Sequence, residues 1–178
     1  MKAVIDTNVL LVANGDHAEA SEGCVSECVR RLSAMQSKGT AVIDDDFRII
    51  REYLNKNRPE AQKGAGGVYL KWLLQNRANP RRVAVVPLTE RSPDQFDEFP
   101  DKSLQRRFDA ADRKFAAVAN AHPDKPPIWQ ATDCKWLDWW EPLARANVAV
   151  EFLCPEDACR FYTKKFPNKA VPKLPGKA

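Results

Sequence analysis

The chain has few of the residues on which several large enzyme classes depend. Only two histidines, His17 and His122, occur in 178 residues. Zinc hydrolases use histidine as a metal ligand and Ser-His-Asp enzymes use it as a base, so both classes fit this sequence poorly. Five cysteines are present, and none of them forms a CxxC pair of the kind that holds zinc. They are Cys24, Cys28, Cys134, Cys154 and Cys159. We expect plain buried thiols, free in a reducing compartment.

Long apolar runs are also missing. No stretch approaches the ~20 apolar residues that a membrane helix needs. Asp6 interrupts the first apolar run, which argues against a signal peptide. We therefore expect a cytoplasmic protein without a membrane partner. Hydrophobic residues make up 44% of the chain and charged residues 29%, which fits one globular domain. We place that domain at residues 1–165 and predict a flexible Pro/Lys-rich basic tail at 166–178.

Short apolar runs that end in acid are the most informative feature that is present. Residues 3–5 lead into Asp6, residues 41–43 lead into Asp44, Asp45 and Asp46, and residues 128–132 lead into Asp133. Such runs alternate with amphipathic stretches, a pattern typical of an α/β protein with a parallel sheet. The carboxyl ends of parallel strands meet at one edge, where ligands bind. Carboxylates gathered there repel one another unless cations lie between them, so we expect a divalent-metal site.

The periodicity predicts the order of the elements. We expect strands at about 2–6, 40–44, 83–86, 128–132 and 148–153, and helices at about 18–38, 46–56, 67–78, 109–121, 135–146 and 156–165. Residues 57–66 are expected to form a loop, and the acidic stretch 88–106 a loop or a lid.

Asp112 is the second informative acid. It shares a helical face with Phe108, Phe115 and two alanines, and a charge inside an apolar stripe is costly unless something pairs with it. Asp109 lies nearer the N-cap position, which makes it an auxiliary candidate. Glu52 lies at the border of an apolar helix face and, taken alone, is an ordinary surface residue.

In this order and strand context, the motifs resemble the PIN-domain nucleases. The resemblance rests on residues 4–8 (VIDTN), an acid in the helix after the second strand, residues 108–115 (FDAADRKF) and residues 131–136 (ATDCKW), and it covers roughly residues 1–155. It implies a three-layer α/β/α sandwich around a central, mainly parallel sheet. Family members often carry Asn-Asp after the last Thr, where this chain has Asp133-Cys134.

The resemblance also implies a set of site residues and an activity. One or two Mg²⁺ or Mn²⁺ ions would be held by Asp6, Glu52, Asp112 and Asp133. Asn8 and Thr132 would orient these four acids. The implied activity is that of a metal-dependent endonuclease, with RNA as the main substrate and DNA left open. Relatives include the VapC-type toxins, so an antitoxin protein and a homodimer are partners that the family implies. The chain is longer than a minimal toxin.

Basic residues near these motifs are candidates for contacts with nucleic acid. Arg113 and Lys114 adjoin Asp112, and Arg81 and Arg82 precede a predicted strand. Each could equally belong to a solvated surface. Three tryptophans follow Asp133 and could stack on bases, but packing of their helix on the sheet is the reading we favour. They are Trp136, Trp139 and Trp140.

Three other functional classes stay open. A metal-dependent phosphatase of the haloacid-dehalogenase type also begins with a strand that ends in Asp, but it needs a second Asp where this chain has Asn8. A receiver domain would use Asp6 or Asp44–46 as an acidic pocket and would leave Asp112 unexplained. A non-catalytic RNA-binding module on a nuclease fold is the remaining alternative, against which the presence of all four acids argues.

Overall fold

The computed structural model describes residues 1–57 and 63–176. Its strands are β1 (Lys2–Ile5), β2 (Thr40–Asp44), β3 (Val83–Val86), β4 (Glu90–Ser92), β5 (Gln95–Phe96), β6 (Ile128–Gln130) and β7 (Val150–Phe152). Its α-helices are α1 (Thr7–Ala13), α2 (Glu22–Lys38), α3 (Arg48–Lys56), α4 (Ala65–Asn76), α5 (Lys102–Arg107), α6 (Arg113–Ala121), α7 (Trp136–Arg145) and α8 (Pro155–Lys165). A 3₁₀ turn, Ala110–Asp112, precedes α6.

Five parallel strands form the central sheet in the order β3-β2-β1-β6-β7. In the central strand, Ala3 is paired with Ala41 of β2, and Ile5 with Trp129 of β6. The chain runs from β1 outward to β3 on one side and later from β6 to β7 on the other. The strand order therefore reverses beside β1, and such a switch point opens a crevice at the carboxyl edge. With helices flanking the sheet, the predicted three-layer α/β/α sandwich is confirmed.

Helix α1 was not predicted from the sequence. Residues 7–13 (TNVLLVA) continue the apolar character of β1 and carry three β-branched side chains, which favour strands. Asp6 ends the strand instead. Its backbone is extended, and its Oδ1 accepts a hydrogen bond from the Asn8 N–H at 2.8 Å, so it caps the first turn.

The stretch 88–106 also differs from the prediction of a loop. Strands β4 and β5 pair there as an antiparallel hairpin, and α5 follows. Asp101 caps α5, because its Oδ1 accepts from the N–H groups of Ser103 and Leu104 at 2.7 and 2.9 Å. Of the predicted loop 57–66, residues 58–62 lie outside the described residues, and α4 already begins at Ala65.

Gly66 allows α4 to pack closely against α1. A Cβ atom at this position would lie 2.3 Å from the carbonyl oxygen of Leu10, closer than any side chain tolerates. Asn14, at the end of α1, accepts a hydrogen bond from the Gly67 N–H at 3.1 Å. The absence of a side chain at Gly66 therefore allows the backbones of α4 and α1 to approach each other closely.

An aromatic cluster joins Phe108, the residue that follows α5, to α7. The ring of Phe108 lies 5.2 Å from Trp136, edge to face, and 4.0 Å from Trp139. Trp136 is fully buried, while Trp139 and Trp140 pack against the core from partly buried positions. The prediction that these tryptophans pack their helix is confirmed. The cluster holds the residues after Phe108 beside those before Trp136.

The prediction of free thiols is wrong for two of the five cysteines. Cys24 of α2 and Cys154 at the start of α8 form a disulfide, with their Cα atoms 5.2 Å apart. Their sequence positions did not predict the pairing because 130 residues separate them. The other three cysteines are free thiols, as predicted. Cys28 and Cys134 are buried, and Cys159 is half-buried.

All described helices and strands lie between residues 2 and 165. The described part of the tail, 166–176, has neither, but Trp140 Nε1 donates to the Lys173 carbonyl at 2.8 Å. Within the described residues, no helix has the length and apolar character needed to cross a membrane.

Candidate active site

The four predicted acids line one cleft at the carboxyl edge of the sheet. The cleft has a volume of about 710 Å³ and lies at the strand-order switch beside β1. Asp6 comes from the end of β1, Glu52 from α3, Asp112 from the turn before α6 and Asp133 from the loop after β6. Four separate segments therefore deliver carboxyl groups to one place. We call this the acidic cleft.

Asp6 is the most deeply buried of these acids, with 4% of its surface exposed. Desolvation raises the pKa of its carboxyl group well above the usual value, and the negative charges of Asp112, Asp133 and Glu52 raise it further. The hydrogen bond from the Asn8 N–H acts in the opposite direction. Burial dominates, so this carboxylate is costly to ionise unless a cation compensates it.

Glu52 is held in the cleft by contacts on both of its oxygens. Thr7 Oγ1 donates to Oε1 at 2.5 Å, and the ammonium group of Lys114 pairs with Oε2. Helix α3 is itself attached to β1, because the Tyr53 hydroxyl donates to the Ile5 carbonyl. These contacts bring the carboxyl group of Glu52 next to Asp6.

Asp112 ends the 3₁₀ turn and makes no capping hydrogen bond with its side chain. Burial raises its pKa to about 7, with repulsion from Asp133, Asp109 and Glu52 adding to the effect and Lys114 opposing it. Asp109 does not cap the turn through its side chain either. It pairs with Lys135 beside the cleft, and this bond raises the pKa of the lysine. The predicted N-cap role of Asp109 is therefore not what its side chain does.

Asn8 connects the β1 segment to the β6 segment. Its Oδ1 accepts from the N–H groups of Ala131 and Thr132 at 3.0 and 3.3 Å, and its Nδ2 donates to the side chain of Gln130. Asp133 accepts from the Lys135 N–H at 3.1 Å. These bonds set the position of the Asp133 loop relative to Asp6, with Asn8 acting through its side chain and Thr132 through its backbone N–H.

The other acids that the sequence offered at this edge have structural roles. Asp44 is fully buried and accepts from the N–H groups of Arg48 and Ile49 at 2.7 and 3.0 Å, so it satisfies the start of α3. Asp45 accepts from the Leu88 N–H, and Asp46 pairs with Arg48. None of these three acids lines the acidic cleft with Asp6.

The basic candidates are placed differently from the prediction. Arg113 is buried, and its guanidinium donates to the carbonyls of Phe108 and Asp94. Arg81 and Arg82 lie just before β3, at the opposite edge of the sheet from the cleft, and Arg82 donates to the Ser37 carbonyl at 2.9 Å. None of these three arginines lines the acidic cleft. Lys114 is buried, and its ammonium group pairs with Glu52, which lines the cleft.

Several residues of the cleft were missed. Thr7 belongs to the Asp6-Thr7-Asn8 motif, and its position between Asp6 and Asn8 was the one signal available. Three lysines line the cleft from the ends of helices, namely Lys56, Lys164 and Lys165. His17, whose ring lies 5.0 Å from that of Phe161, lines it as well. Helices α3 and α8 are distant in sequence, so their shared cleft was not visible from spacing.

The donor set of the cleft fits a hard divalent cation that retains water. The carboxyl oxygens and Thr7 offer the oxygen ligands that Mg²⁺ prefers, and the charges of the neighbouring acids repel those of the buried Asp6 and the half-buried Asp112. Among the described residues, however, no three carboxyl oxygens come within 4.8 Å of one another. An ion here would be held by one or two carboxylates directly and by the others through water, a common mode for Mg²⁺.

Comparisons of this chain with models of protein families, with curated proteins and with solved structures found no match.

Proposed function

We propose that the chain is a Mg²⁺- or Mn²⁺-dependent nuclease of the PIN type, acting on RNA. One observation carries the proposal: carboxyl groups from four separate segments line a single cleft at the strand-order switch. A protein that needed these acids only for stability would not gather them in one cleft, since their repulsion opposes folding. A resident cation removes that cost. DNA remains the alternative substrate.

Asp6, Glu52, Asp112 and Asp133 would hold the cation, directly or through water. When bound, it supplies neutralisation of the phosphate charge and a water molecule of lowered pKa. Other side chains of the protein position these acids. Asn8 fixes the Asp133 loop to the Asp6 segment, and the Thr7 hydroxyl keeps Glu52 directed into the cleft.

The rim of the cleft suits a polyanion. Lys56 and Lys165 lie at its mouth, and Lys164 does so while paired with Glu19 at 2.5 Å. Exposed ammonium groups attract a phosphate backbone without reading its sequence. An acidic floor with a basic rim supports the proposal that a phosphodiester binds between the lysines and the carboxylates.

The non-catalytic RNA-binding module stays a second candidate because of one feature. Lys114 already pairs with Glu52, and a carboxylate neutralised by a lysine has less need of a metal ion. In that case binding to RNA would persist in the presence of a chelator.

The test is cleavage of labelled single-stranded RNA and DNA with Mn²⁺, Mg²⁺ or EDTA. We expect metal-dependent cutting of RNA by the wild type and loss of at least about a hundredfold in rate for Asp6→Asn. Glu141→Gln removes an exposed acid of α7, outside the cleft, and should cut like the wild type. Equal rates for Asp6→Asn and the wild type would refute the assignment. Metal-independent RNA binding without cutting would favour the binding module.

A further inference from the structure

Three sulfur atoms meet at one buried point outside the acidic cleft. Cys24 and Cys28 lie one turn apart on α2, and Cys154 lies just before α8. Their Sγ atoms are all within 4.8 Å of one another, and those of Cys28 and Cys154 are 3.9 Å apart. Among the described residues this is the one group of three or more potential metal ligands that is so close. We call it the cysteine triad.

We propose that the cysteine triad, when its disulfide is reduced, binds a thiophilic divalent cation such as Zn²⁺. Thiolates bound to zinc at about 2.3 Å in a tetrahedral arrangement lie about 3.8 Å apart. The Cys28–Cys154 separation already matches this spacing. Reduction lets the sulfur of Cys24 move away from that of Cys154, which opens the triangle that three thiolates need.

Two of the three cysteines lie at the N-termini of helices. Cys24 lies in the first turn of α2, and Cys154 is the residue before the first turn of α8. The partial positive charge of a helix N-terminus lowers the cost of ionising a thiol. Burial works the other way at Cys28, where it raises the pKa to about 12, so this thiol stays protonated until a cation displaces its proton.

Access and a fourth ligand position come from a small surface cleft. Cys24 and Cys154 line a depression of about 190 Å³ together with Asp157. The carboxylate of Asp157 accepts two hydrogen bonds from Ser21 at 2.9 Å and pairs with Arg160 at 2.6 Å. It is therefore engaged, which leaves a water molecule from the depression as the fourth ligand.

The balance of the reaction makes the two states exclusive. A dithiol reductant gives two electrons and two protons to the Cys24–Cys154 bond and leaves as its own disulfide. The cation then displaces one proton from each of the three thiols. While the disulfide is intact, two of the three ligands cannot bind, and while the cation is bound, those two thiolates are protected from oxidation.

The experiment uses the full chain, reduced by a dithiol that is then removed under an inert atmosphere. Cd²⁺ is titrated, and the ultraviolet absorption of the thiolate–metal bond is recorded, a signal that carboxylates do not give. We expect one ion per chain for the wild type and no such signal for the oxidised protein. Cys28→Ser should weaken binding by about tenfold or more, whereas Cys159→Ser, which removes a thiol outside the triad, should bind like the wild type.

Three results would overturn the proposal: no thiolate absorption in the reduced wild type, equal binding by Cys28→Ser, or equal binding by the oxidised protein. A second measurement on the wild type covers the case in which Cys28→Ser fails to fold. Mild oxidation should re-form the Cys24–Cys154 bond, detected by mass, more slowly with Cd²⁺ present. An unchanged rate of re-formation would also overturn it.

Discussion

The carboxyl group of Asp112 is expected to destabilise the fold whenever it is ionised and no cation is bound. Its pKa is raised from 3.8 to about 7, first by burial and then by the charges of Asp133, Asp109 and Glu52. In the unfolded chain the group ionises near its usual pKa. Folding therefore favours the protonated form, and the resulting stability is complete below about pH 4 and is lost as the pH rises to about 7.

The size of this effect follows from the pKa change. Each pKa unit corresponds to about 1.4 kcal/mol, so the full change is about 4 kcal/mol. Asp112 is partly exposed, and solvent screens part of the repulsion, so we expect about 2 kcal/mol to be recovered when the charge is removed. For a chain of this size, that corresponds to a rise in Tm of about 4 to 8 °C.

The perturbation is Asp112→Asn, and the assay is thermal unfolding in EDTA across a pH series. We expect the variant to melt above the wild type at pH 8, with a smaller advantage at pH 5, where the folded wild type already carries the proton. Glu141→Gln removes a charge from an exposed position and should melt like the wild type at every pH. A variant that melts at or below the wild type at pH 8 would refute the reasoning. So would an advantage independent of pH.

Addition of Mn²⁺ separates a metal site from a merely crowded one. A ligand that binds the folded state stabilises it by about 2.7 kcal/mol at a concentration of 100 Kd. With Asp112 as one of the proposed ligands, the wild type should gain more than Asp112→Asn, so the advantage of the variant should shrink or reverse. Equal gains for both proteins would mean that Asp112 takes no part in holding the ion.

Two further substitutions probe how the cleft is built. Gly66→Ala places a Cβ atom against the Leu10 carbonyl and should lower the free energy of unfolding by about 2 kcal/mol in chemical denaturation, whereas Gly23→Ala, in an open position of α2, should raise it by about 0.5 kcal/mol. Similar effects of the two substitutions would contradict the close packing of α4 on α1. Lys114→Met leaves Glu52 without its buried partner and should cost about 2 kcal/mol in EDTA. Its Tm should then rise more on addition of Mn²⁺ than that of the wild type, and an equal or smaller rise would show that lysine and metal do not compete.

The part of the site that the sequence predicts is the part that depends on strand topology. Parallel strands end at a common edge, so runs that end in Asp6 and Asp133 were expected to meet, and they do. The same reasoning fails for Asp44, which also follows an apolar run. Its carboxylate turns back to the N–H groups of α3, and a cap of this kind looks the same in sequence as a ligand.

The part that could not be predicted depends on which helix ends share the cleft. Lys56 and Lys165 come from helices more than 100 positions apart and were not associated by any local pattern. Helix α1 was hidden because its residues are apolar on most sides and prefer strands by propensity. Only the cap at Asp6 ends the strand there, and the same residue was read as a ligand alone.

Lys114 shows most clearly how a short range of backbone decides a functional role. Both Arg113 and Lys114 were expected on a solvated or phosphate-binding face, because they follow Asp112 in a continuous helical pattern. The 3₁₀ turn over residues 110–112 interrupts that pattern, and both side chains enter the protein with their charged groups on buried acceptors. For Arg113 the acceptors are backbone carbonyls, which removes it from the site. For Lys114 the partner is Glu52. A positive charge that was a candidate for binding the substrate therefore pairs with one of the acids that would hold a metal ion.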